Sequence, residues 1–200
     1  CYMCVRRGPE KSPLKDDRDL IVQEMLDADG IVLASSVYVN HATALTKNFL
    51  ERVGYEGHRP RFYSKYAMVI AVCGMFGATE TNKYMNGILT SFGFDVVSSL
   101  ELQIATKTEK EKAYNHKQTA KAFDTFVAAI EQRKRYIPPL GQMFRFYIFK
   151  KISESNQDYF QADHQYYKDK TDFPYGTNPF RKMQAKLKAM KTLGEFMMNR

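Results

Sequence analysis

Hydrophobic positions along the chain switch repeatedly between two spacings, and the switching is regular from Asp16 to Pro139. Asp16 and Asp17 open a segment in which Leu20, Ile21, Met25 and Ala28 recur at helical spacing up to Gly30. Gly30 to Tyr38 (GIVLASSVY) is a largely apolar run, the pattern of a parallel strand covered on both faces. Asn40 is then expected to cap a helix whose inner face is Ala42, Leu45, Phe49 and Val53, with its first N–H groups facing the turn and Gly54 at its end. After a basic loop from Gly57 to Ser64, Tyr66 to Cys73 (YAMVIAVC) repeats the strand pattern. It breaks at Gly74-Met75-Phe76-Gly77, and Thr79 or Thr81 is placed to start a helix carrying Tyr84, Ile88 and Phe92 that Gly93 closes. Asp95 to Ala105 alternates at Leu100, Leu102 and Ile104, as at a sheet edge. The long helix that follows is expected to turn Ala113, His116, Ala120, Phe123, Val127 and Ile130 inward before Pro138-Pro139.

Helix, strand, helix, strand, helix, strand, helix is the order of a doubly wound α/β fold, a parallel sheet with helices on both faces. Three strands make a thin sheet. The chain starts at Cys1 with what reads as mid-domain sequence, so two further strands are expected to precede it. Open sheets of this kind hold ligands outside the carboxyl ends of their strands, which points to the turn after Tyr38.

Beyond Pro139 the sequence becomes aromatic and basic: Phe144 to Lys151, Tyr159-Phe160, Tyr166-Tyr167, Tyr175. The last segment sets Phe180, Met183, Leu187, Met190 and Met197 at helical spacing opposite lysines, and needs something apolar to lie against. Two regions are therefore expected: a ligand-binding α/β domain over 1–136 and a helical extension over 137–200.

Composition adds less. With 200 residues and 44% hydrophobic content the chain can bury one sizeable core. The net charge of +8 favours anionic partners, and from Phe180 to Arg200 six basic residues face one acidic residue. Three cysteines argue against a disulfide framework, and with no signal-peptide pattern a cytoplasmic location is expected. Cys1 and Cys4 form a weak metal or redox signal that also suits a structural pair, and Cys73 reads as a small buried hydrophobe. The histidines His41, His58, His116 and His164 lack zinc spacing, so no metal site is expected.

The stretch Ala28-Asp29-Gly30-Ile31-Val32-Leu33-Ala34-Ser35-Ser36-Val37-Tyr38, running on to Lys47, Phe49, Leu50, Glu51 and Arg52, resembles the pattern aDgiiigsPvYfgnvsaqlKaflDR. That pattern belongs to the flavodoxin-like NAD(P)H-dependent FMN reductases, with their iron–sulfur flavoprotein branch. Cys1-Tyr2-Met3-Cys4-Val5-Arg6-Arg7-Gly8 with Asp16-Asp17 is similar to the family segment CxxCvkkG…kDD. Asp158 to Asp163, Tyr166-Tyr167-Lys168 and Asn178-Pro179-Phe180 resemble a C-terminal extension found in some members.

The resemblance implies a flavodoxin-like doubly wound sheet whose third, fourth and fifth strands are present, and an FMN-dependent oxidoreductase using NAD(P)H as co-substrate. It implies that Ser35, Ser36, Val37, Tyr38, Val39, Asn40, His41 and Ala42 contact the flavin ring. Cys73, Gly74, Met75, Phe76 and Gly77 would approach its other edge. The phosphate-gripping loop would belong to the preceding strands, so that these residues by themselves would bind FMN weakly or not at all. Hydride transfer to a flavin rests on stacking and water exclusion, so no catalytic side chain is singled out. Two departures stand out: Ser36 replaces the family proline, and Asn40 its usual glycine. Ser12 stands where a further cysteine would be needed, and an iron–sulfur cluster is not expected.

The implied partners are a small-molecule or protein electron acceptor and a second copy in a homodimer, with neither nucleic acid nor peripheral membrane contact. Two other readings remain: a flavodoxin-like electron carrier without reductase turnover, and a basic binding module that sets residues 140–200 on an anionic surface.

Overall fold

The computed structural model describes residues 2–105, 108–174 and 178–198; Cys1, Tyr175, Arg200 and the side chain of Met197 lie outside the described residues. In chain order the elements are α1 (Tyr2–Arg7), α2 (Arg18–Asp27), β1 (Gly30–Tyr38), β2 (His41–Ala42), α3 (Ala44–Arg52), β3 (Tyr66–Cys73), α4 (Ala78–Phe92), β4 (Asp95–Gln103), α5 (Glu109–Glu131), α6 (Leu140–Ser155), α7 (Gln161–Tyr167) and α8 (Pro179–Met198). Short 3-10 turns cover Pro9–Lys11 and Gly54–Gly57. They fall into two compact units. One comprises 17–53 with 61–135, and the other 1–16, 54–60 and 136–200.

The first unit is the α/β sheet, in the order β2-β1-β3-β4. β1, β3 and β4 are parallel, with Gly30 beside Tyr66 and Tyr66 beside Asp95. Side chains alternate along β3, so Ala67, Val69, Ala71 and Cys73 share a face. There they pack with Val22 and Met25 of α2, Leu50 of α3 and Met85, Leu89 and Phe92 of α4. The opposite face takes α5. Ser98 Oγ donates to the Ala122 carbonyl, Tyr66 Oη donates to the Lys134 carbonyl, and a β-carbon on Gly30 would meet Phe126 at 2.9 Å. A parallel sheet with helices on both faces is the expected architecture, with a short antiparallel β2 added.

Two packing expectations need correcting. Beyond Gly30, β1 is covered on one face only within this chain: Val32 is 43% exposed, and Ala34 and Ser36 are exposed with it. Continuous hydrophobicity therefore overstated its burial. α5 buries Ala122, Phe126 and Ala129, whereas Phe123, Val127, Ala113, His116 and Ala120 are exposed. Apolar residues occur around much of this helix, and contact with the sheet, not spacing, selects the buried side.

The second unit owes its core to the aromatic residues beyond Pro139. Phe146 sits edge-on to Tyr147, Tyr167 and Phe173 at 5.4, 5.3 and 5.5 Å between ring centres. Asp163 on α7 is buried and binds both Arg59 and His58 Nδ1, the latter at 2.9 Å; Arg59 also donates to the Cys4 and Val5 carbonyls at 2.6 and 2.8 Å. These bonds satisfy charges whose burial would otherwise be costly. α8 is fastened by Asp172, which accepts from Tyr147 of α6 and lies 2.9 Å from Lys182 and 3.3 Å from Lys186. Burial pushes the Asp172 carboxyl up, but these donors outweigh it and hold the group well below the usual carboxylate range.

Candidate functional site

The carboxyl ends of β1 and β3 carry the two turns that the sequence singles out. β1 does not run directly into a helix: Val37 pairs with Ala42 and Tyr38 with His41, closing a hairpin around Val39 and Asn40. Both central residues have positive φ, 51° and 60°, the signature of a two-residue type I′ turn whose twist matches that of the strands. Asn40 is therefore a turn residue and not the expected helix cap.

The cap of α3 is Thr43. Its Oγ1 accepts from the Thr46 N–H at 3.3 Å, so the donors expected to face the turn are partly satisfied by the chain itself. Ser35 braces the same corner. Its buried hydroxyl accepts from Thr43 N at 3.2 Å and from Thr46 Oγ1 at 3.0 Å, and donates to the Ser36 carbonyl at 2.8 Å. That hydroxyl is committed to holding the hairpin. Ser36 and His41 are exposed, Val37 and Ala42 half-buried, and the His41 ring lies 4.7 Å from that of Tyr84.

In the second turn, Cys73 is buried in the core, while Gly74, Met75 and Phe76 are exposed. Gly77 caps α4 with φ +91°; Thr79 and Thr81 lie inside the helix and do not start it. No side chain caps this helix start, so its first-turn amides present partial positive charge at the turn. A β-carbon on Gly77 would stand 2.8 Å from both the Asn40 Cα and Val37 Cγ1. The two turns thus touch through backbone, and only glycine fits the seam.

Four large apolar side chains, Tyr38 and Val39 from the hairpin and Met75 and Phe76 from the second turn, are exposed to between 62% for Met75 and 98% for Val39. Beside Phe76 opens a cavity of about 630 Å³, lined also by Met75, Gly77, Glu101, Gln103 and Tyr114. Its rim is cross-braced: Gln103 Nε2 donates to the Met75 carbonyl at 3.1 Å, and Thr79 Oγ1 to Glu101 at 2.8 Å. Glu101, Gln103 and Tyr114 escaped sequence reasoning. The polar positions that interrupt the end of β4 were the available signal.

An open parallel sheet with paired turns at its carboxyl edge is the architecture of doubly wound α/β proteins, among them the flavodoxin-like class. The chain belongs to the NADPH-dependent FMN reductase family, whose pattern matches residues 2–109. A solved flavone reductase shares the fold with a TM-score of 0.53 and 17% identity, covering 85% of this chain and 86% of that one. An iron-sulfur flavoprotein of Archaeoglobus fulgidus is 32% identical over 94 residues, 46% of this chain and 42% of that protein. Iron-sulfur flavoprotein MJ1083 of Methanocaldococcus jannaschii is 42% identical over 52 residues, 26% of each. The chain spans less than half the length of these curated relatives.

Glycine at position 77 lets the two turns meet, and exposed apolar side chains flank the place where they do. Cys4 and Cys73 are buried, and the described residues contain no group of three His, Cys, Asp or Glu side chains that could hold a metal ion. None of the described helices is long and apolar enough to cross a membrane.

Proposed function

We propose that this chain carries the ring-binding side of an FMN-dependent oxidoreductase that takes hydride from NADH or NADPH and passes electrons to a small-molecule or protein acceptor. The observation that carries the reading is the Gly77–Asn40 backbone contact, which joins the two turns of the family pattern into one seam.

FMN, when bound, supplies the relay between a two-electron donor and the acceptor. The protein contributes position and dryness. Peptide groups of Ser36 to Ala42 and of Gly74 to Gly77 orient the ring. The uncapped amides at the start of α4 favour negative charge beside them. Tyr38, Val39, Met75 and Phe76 shed water from the faces where a nicotinamide must stack. The Ser35–Thr43–Thr46 bonds hold the hairpin in place while this happens.

Anaerobic mixing of the FMN-loaded full-length gene product with NADH and with NADPH tests the reading. Rapid loss of the oxidised flavin absorbance with one of them is the expected result. A protein that holds FMN and is bleached by neither is an electron carrier, and a protein that takes up no flavin contradicts the proposal.

A further inference from the structure

α8 has two unlike apolar faces. Ala185 and Ala189 are buried on the side that packs on α6, where Lys186 lies 5.1 Å from the Tyr147 ring and Lys188 5.4 Å from the Phe144 ring. Phe180, Met183, Leu187 and Met190 follow a three-four-three spacing and line up on a different side. They are exposed to between 49% for Met183 and 67% for Met190, a lane roughly 15 Å long at 1.5 Å per residue. The sequence predicts that this lane lies against something apolar; within this chain α8 docks by its alanines and leaves the lane exposed.

Charge narrows what can cover it. The second unit holds sixteen Lys and Arg against nine Asp and Glu, a net +7 out of the chain's +8. By helical position Lys186 borders the lane on one side and Lys191 on the other, with Lys188 beyond Lys191, and all three are exposed. The acidic residue on the helix is Glu195, 3.9 Å from Lys191. A second copy laid on the same lane would bring lysine borders together. Nucleic acid would satisfy the lysines and leave Phe180, Met183, Leu187 and Met190 in water. An anionic lipid surface accepts both, with apolar side chains beneath the headgroups and ammonium groups among the phosphates.

We propose that α8 docks on the surface of anionic lipid bilayers, inserting Phe180, Met183, Leu187 and Met190 between headgroups that Lys188 and Lys191 contact. This develops the sequence reading of a basic module on an anionic surface, against the expectation of no membrane contact.

Co-sedimentation of the full chain with lipid vesicles tests it, comparing phosphatidylcholine alone with phosphatidylcholine mixed with phosphatidylglycerol. Binding to the anionic vesicles is expected to exceed binding to the neutral ones by about tenfold or more and to weaken as salt is raised. The double variant Leu187→Asp/Met190→Asp is expected to lose binding at every salt concentration. Lys188→Glu/Lys191→Glu should lose mainly the salt-sensitive part. All four positions are exposed, so both variants should keep the wild-type circular dichroism. Equal binding to both vesicles, no binding, or binding that survives Leu187→Asp/Met190→Asp would overturn the proposal. So would a homodimer in sedimentation velocity that the same variant dissociates, or retention of single-stranded RNA in place of vesicles.

Discussion

Gly77 and Asn40 meet backbone to backbone, so closely that a single methyl group on Gly77 would lie 2.8 Å from the Asn40 Cα. Two strand ends that are not neighbours in sequence are locked by this contact. Gly77 is also at φ +91°, where a side chain is strained whatever the space around it. Gly77→Ala is therefore expected to cost about 2 kcal/mol or more of stability, by urea unfolding, and to weaken FMN binding at least about tenfold. Gly74→Ala, with nothing within 4 Å of its added carbon, is the control and should change stability little.

Val39 holds the opposite lesson. A β-branched residue at φ +51° and 98% exposed contributes strain to the hairpin and almost no packing. Val39→Asn suits a type I′ turn and is expected to raise stability by about 1 kcal/mol, read as a higher urea midpoint at unchanged slope. A lower midpoint would mean that Val39 packs on something.

Burial pushes the Asp95 carboxyl at the start of β4 up to about 6. A carboxyl raised in the fold favours its neutral form, so its contribution to stability is full below the ordinary carboxylate pKa and is lost as pH rises through about 6. Asp95→Asn should therefore stabilise the protein at pH 7, by about 1 kcal/mol once partial solvent screening is counted, and give no gain near pH 4. Unfolding curves for both proteins at the two pH values check the sign.

Strand positions were legible because buried runs such as Tyr66 to Cys73 have no competing explanation, and the parallel order followed from their alternation with helices. The site was legible as two turns, since Gly74 and Gly77 interrupt apolar sequence abruptly. Their contact was not. Nothing local to Asn40 announces a hairpin: Val39-Asn40 is a poor type I′ dipeptide, and the fold imposes the turn on it. The buried side of α5 was hidden for a similar reason, because Phe123, Phe126 and Val127 lie too close in sequence for spacing to choose among them. Open faces are harder still to read. Val32 on β1 and Leu187 on α8 look as burial-prone as any core residue until their surroundings are known.

The proposed seat of the flavin is the seam between the hairpin and the Gly77 turn. Titrating FMN into isotopically labelled protein and following the backbone amides tests it most directly. The account predicts that the largest shifts fall on Ser36 to Ala42 and Gly74 to Thr79, and that Gly77→Ala abolishes them. Shifts centred elsewhere, with both turns unmoved at saturating FMN, would contradict it.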